Sequence, residues 1–89
     1  MKLSRDSIFT ATVGIVGGLE AGGGEAPEGH LYVALSMTGY TLDNFHAIVE
    51  LLVVSEVVVR TPGPQLKLTD KGIQLAADIK AAGKAEVVS

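Results

Sequence analysis

Between Thr41 and Gly72 a helical spacing of apolar residues gives way to a β-branched run and then to a proline–glycine–proline turn. That order limits the possible folds more than any other feature of the chain. Thr41 is a good helix N-cap, because its hydroxyl can accept a bond from a free amide of the first turn. Asp43 then favours the positive end of the helix dipole. Leu42, Phe45, Ile48, Val49 and Leu52 fall three or four apart and make one apolar face. Phe45 should therefore be buried against the helices that precede it. After Ser55 the spacing changes: Val57, Val58 and Val59 are stiff at χ1 and suit a pleated strand. Pro62-Gly63-Pro64 must turn, since proline fixes φ and glycine tolerates positive φ. Gln65 to Leu68 alternates polar and apolar, as a half-buried strand does. Thr69 can cap a further helix, with Asp70 just inside it.

This stretch resembles the winged-helix domains of small prokaryotic regulators. Leu52-Val53-Val54-Ser55-Glu56-Val57-Val58-Val59-Arg60 is similar to the end of their recognition helix and the first strand of the wing, and Leu68-Thr69-Asp70-Lys71-Gly72 to the opening of the next helix. The likeness covers roughly the C-terminal two-thirds of the chain. Such families usually carry glycine where this chain has Glu56, at the helix C-cap, because glycine adopts the left-handed conformation without cost. The resemblance implies a mainly α fold with a small β-hairpin (α+β), in the order helix-helix-helix-strand-wing-strand-helix. It also implies a terminal helix that builds a dimer. The whole chain, 1–89, then reads as one domain: an N-terminal helix and glycine-rich connector over 1–24, a helix-turn-helix with its wing over 27–72, a C-terminal helix over 70–82 and a frayed tail over 83–89.

Upstream, Lys2 and Arg5 precede an apolar run from Ile8 to Leu19, which mimics a signal peptide. Asp6 interrupts the basic part, Thr10, Thr12 and Gly14 dilute the apolar part, and Leu19-Glu20-Ala21 is a poor cleavage site. An ordinary helix is the better reading, although the β-branched content leaves a strand open over 8–19. As a helix it is capped by Ser4 or Asp6. It shows one stripe of Ile8, Ala11, Ile15 and Leu19 and a neighbouring one of Phe9, Val13 and Val16. Gly14, Gly17 and Gly18 weaken it and would let another helix approach. Gly22 to Pro27 reads as a connector; as a phosphate cradle it lacks a following Lys-Ser/Thr pair and is flanked by Glu20, Glu25 and Glu28. Pro27 fits the first position of a second helix, whose core face would be Leu31, Ala34, Leu35 and Met37, with Tyr32 outside it. Thr38-Gly39-Tyr40 makes the turn to Thr41. In the last helix Ile73, Ala76, Ala77 and Ile79 should face the core, with Leu75 off that stripe.

The chain is 47% hydrophobic, which is rich for 89 residues and points to a buried subunit interface. No cysteine is present, which removes disulfides and thiolate metal sites and fits a reducing, cytoplasmic setting. No run is long and apolar enough to span a bilayer. Net charge is −3, but its distribution says more: no Lys or Arg lies between Asp6 and Val59, a span that holds Asp6, Glu20, Glu25, Glu28, Asp43, Glu50 and Glu56. Nucleic acid is held mainly by neutralising its phosphates, and the would-be recognition helix has no cation to offer.

Candidate chemistry is sparse. His46 and Glu50 are four apart on one helix face, but two ligands are too few for a metal, and His30 has no clear place beside them. A surface His–Glu pair is the better reading. No nucleophile elbow or suitably spaced pair of carboxylates occurs. We expect no enzyme, no cofactor and no metal. Two functions remain. One is a protein-interaction module or homodimer, possessing an acidic and apolar strip of Asp43, Ala47, Glu50, Leu51 and Val54, acting in a regulatory assembly. The other is a DNA-binding regulator, with Thr41, Asn44, His46 and Ala47 in the major groove and Arg60, Lys67 and Lys71 on phosphate; there Asn44 would pair with adenine. The charge gap and the apolar excess favour the first, with DNA bound weakly.

Overall fold

The computed structural model describes the backbone of residues 3–88 and the side chains of residues 3–82. Among the described residues four helices and three strands follow in the order α1 (Arg5–Ala21), β1 (Glu25–Pro27), α2 (Glu28–Ser36), α3 (Leu42–Val54), β2 (Val58–Thr61), β3 (Gln65–Leu68) and α4 (Asp70–Val88). The strands form one antiparallel sheet in the order β1-β3-β2, so the molecule is an α+β domain, mostly helical, around a single hydrophobic core. No described helix is long and apolar enough to cross a membrane.

Helix α1 is the hub. Ser4 caps it through a reciprocal pair with Ser7, each side chain bonding the other's backbone amide. Ala11, Ile15, Val16 and Leu19 are buried, so both of its apolar stripes reach the core, whereas Phe9 stands 65% exposed. Its glycines admit α2 closely: a Cβ at Gly18 would meet Leu31 Cδ2 at 2.8 Å, and one at Gly14 would meet Leu35 Cδ2 at 3.3 Å. Helix α2 thus inserts only Leu31 and Leu35. Ala34 and Met37, expected in its core face, are exposed, and Tyr32, expected outside it, is half-buried. The reason is rotation of α2 toward α3, where the Tyr32 ring meets Phe45 edge-on at 5.6 Å. Tyr40 closes the other end: it is buried, and its hydroxyl donates to the Ser7 carbonyl at 2.5 Å.

Helix α3 forms where its sequence predicts, except that Leu42, expected in its apolar face, lies in the first turn and is 47% exposed. Thr41 Oγ1 accepts the Asn44 amide at 3.1 Å, and Phe45, Ile48, Val49 and Leu52 are buried. The connector differs from expectation. Glu25–Pro27 is a strand, with Glu25 opposite Lys67, Ala26 opposite Leu66 and Pro27 opposite Gln65. Pro27 is accordingly the last residue of β1 and the N-cap of α2, not its first helical residue. Three residues ending in proline carry no periodic signal; only the β3 edge, distant in sequence, turns them into a strand.

The end of α3 and the start of α4 are tied together. The Val57 amide bonds the Leu52 carbonyl at 2.9 Å and the Glu56 amide bonds the Val53 carbonyl at 3.0 Å, which closes the helix with Glu56 at φ +64°. This is the site where glycine is usual. Thr69 Oγ1 accepts the Gly72 amide at 3.0 Å and lies 2.5 Å from the Glu56 carbonyl and 3.1 Å from that of Val57. Gly72 packs directly on this turn, so that any Cβ there would collide with the Val57 carbonyl oxygen. That contact sets the rotation of α4. Ala76 is buried and Leu75 and Ile79 are partly buried, whereas Ile73 and Ala77, expected to face inward, are exposed. Helix α4 also passes Ala82 and Gly83 to reach Val88, beyond the expected end, and the remainder of the expected frayed tail, Ser89, lies outside the described residues.

Candidate interaction surface

The outward side of α3 carries Asp43, Ala47, Glu50, Leu51 and Val54, all of them exposed. They stand there because the helix commits Phe45, Ile48, Val49 and Leu52 to the core, which leaves the opposite side of the 3.6-residue turn to solvent. Val54 is 76% exposed and Leu51 46%, large values for apolar side chains three apart on one helix. With Ala47 they make an apolar strip, edged by the carboxylates of Asp43 and Glu50.

Glu50 does not pair with His46. Arg60 Nη1 on β2 donates to Glu50 Oε1 at 2.5 Å, and Arg60 Nη2 stands 3.7 Å from Glu28 Oε1. Register explains the reach. Arg60 lies opposite the buried Leu66, so its side chain leaves the sheet on the core-facing side, toward the helices. The Glu50 hydrogen bond and both carboxylate charges raise the Arg60 pKa above its ordinary value, against a smaller opposing effect of burial.

The residues expected to meet DNA are dispersed. Thr41 and Asn44 are joined to each other, Thr41 Oγ1 lying 2.8 Å from Asn44 Oδ1 within the cap. His46 is exposed beside Phe45, ring centroids 6.0 Å apart, at the rim of a 180 Å³ hollow it shares with Glu28, Tyr32, Leu42 and Pro64. Arg60 is held by two carboxylates. Lys67 is exposed between the buried Leu66 and Leu68, on the sheet face turned away from the core and from α3. Lys71 is exposed in the first turn of α4, beside an open groove of about 470 Å³ that Val53, Val58, Val59, Glu56 and Asp70 also line. Among the described residues no three His, Asp or Glu side chains converge as a metal site, and no polar or charged side chain is buried.

The sequence reading missed two features. The groove between α3, β2 and α4 joins residues far apart in the chain, so no local pattern marks it. The Arg60 pairing also depends on tertiary structure, although the single alternation step from Val58 to Arg60 hinted that Arg60 points inward. Comparison with models of protein families, with curated proteins and with solved structures finds no match to this chain.

Proposed function

We propose that this chain is a winged-helix module that works by binding protein, as a homodimer or as a subunit of a regulatory assembly, without enzymatic activity. The element order supports the winged-helix reading: three helices, a hairpin as the wing and a closing helix, with the short β1 completing the sheet. One observation carries the choice of protein over DNA. Arg60, the cation nearest α3 in sequence, is occupied by Glu50 and Glu28, and the exposed face of α3 offers carboxylates and apolar side chains instead. The apolar strip of Ala47, Leu51 and Val54 would bury favourably against an apolar protein surface, while Asp43 beside it suits a basic rim and repels a phosphate backbone. The absence of cysteine accords with a reducing, cytoplasmic setting.

A photo-crosslinking side chain placed at Val54 tests this reading in the native host. Adducts to protein are expected; adducts to nucleic acid alone would replace it with the DNA-regulator reading. In that case Lys67→Glu should abolish most binding in a mobility-shift titration. Unchanged affinity would remove the wing from the contact.

A further inference from the structure

We propose that the occupant of the exposed α3 strip is the outward face of α4 on a second copy, packed antiparallel to it; this rests on the protein-binding reading above and names its partner. The contact of Gly72 with the Val57 carbonyl turns α4 so that Ala76 is buried. Ile73, Ala77 and Lys80 are left outside, with Ile73 56% exposed. These three fall at i, i+4 and i+7, on one side of the helix. On α3, Ala47, Leu51 and Val54 repeat the same spacing. The molecule thus exposes two helix strips of equal length, and they differ in charge. The α3 strip begins at Asp43, which enters no ion pair among the described residues. The α4 strip begins at the apolar Ile73 and carries its cation, Lys80, toward the other end.

Charge and size together select this pairing and its direction. Packed antiparallel, Val54 meets Ile73, Leu51 meets the smaller Ala77, and Lys80 lies over Ala47. Large against small lets the helices interdigitate. The lysine stem covers the Ala47 methyl while its amine reaches Asp43, one turn away on α3. The parallel direction would instead bring Asp70, in the first turn of α4, beside Asp43 and set Lys80 on Val54. Neither strip suits itself. Two α3 strips packed antiparallel would bury each Asp43 against the other's Val54, and two α4 strips would bury each Lys80 against the other's Ile73. Lys80 also pairs with Glu20 of its own chain, at the surface, where such a pair holds weakly and leaves the ammonium able to take a second carboxylate. The contact is head-to-tail, each copy giving α3 to one neighbour and α4 to another. It spans only about 16 Å of helix, so association is weak and rises with concentration.

Sedimentation equilibrium of the full chain and of two variants tests this. Val54→Glu disables the α3 strip and leaves α4 intact, and Ile73→Glu does the reverse. Both positions are exposed, so circular-dichroism spectra should match wild type. The wild-type average mass should rise above that of the monomer with concentration, and each variant alone should associate about tenfold or more weakly. An equimolar mixture should recover a one-to-one dimer, because the intact α3 of one variant meets the intact α4 of the other. Wild-type association by either variant alone would overturn the inference, and so would a mixture that associates no better than its components. A wild-type chain that stays monomeric at every concentration would overturn it as well, with the Val54 crosslink still deciding the broader reading.

Discussion

Two glycines lie where helix α4 meets the rest of the molecule, and they behave in opposite ways. At its first turn Gly72 lies so close to the Val57 carbonyl that no other residue fits. Farther along, α4 faces Gly17 of α1 across a hollow of about 90 Å³ lined by Val13, Val16, Ala76 and Ile79, with Glu20 and Lys80 paired at its rim. A Cβ added at Gly17 would meet nothing within 4 Å. One glycine is a geometric requirement; the other is a gap in the packing. The contrast teaches that α4 is fixed tightly at its first turn, while its packing on α1 leaves a gap at Gly17.

Four substitutions sharpen or break this contrast. Phe45→Ala sets the scale for a well-packed site: with the ring 1% exposed, it should cost about 3–5 kcal/mol in denaturant melts. A loss below about 1 kcal/mol would mean that the α3 register is wrong. Gly72→Ala comes next, with an expected cost of about 1–3 kcal/mol from overpacking and a shift of α4. If it melts like wild type, the tight junction does not exist. Glu56→Gly should move stability the other way, by about 1 kcal/mol, since φ +64° strains any side chain with a Cβ. Destabilisation there would show that the Glu56 side chain has a role the cap geometry does not reveal. Gly17→Ala should stabilise by about 0.5–1 kcal/mol through helix propensity alone. A marked loss would close the gap that the contrast assumes.

The same two regions show what was legible beforehand. Helix α3, its Thr41 cap and the hairpin around Pro62-Gly63-Pro64 were readable because each is specified by neighbours in sequence. The identity of the cap at Thr69 was readable too, but its second use, anchoring the Glu56–Val57 turn, was not, because that contact joins separate elements. Strand β1 went unread since its only reason to be extended is β3. The faces of α2 and α4 were misassigned at Met37, Tyr32, Ile73 and Ala77 because close glycine contacts, at Gly18 and Gly72, set how each helix is rotated. At the candidate surface, Asp43, Ala47, Glu50, Leu51 and Val54 were correctly placed on the side of α3 away from its core, as helical period alone requires. The use of Arg60 as an internal tie was not foreseen, and it removes a cation from the set that phosphate would need.

The central claim is that the exposed side of α3 is chemically unsuited to a polyanion. Fluorescence anisotropy with random duplex DNA, titrated from low to physiological salt, tests it most directly. The account predicts weak binding that vanishes by physiological salt. Tight binding there, with an affinity falling by several powers of the salt concentration, would mean that several phosphates are neutralised at once, and would contradict it.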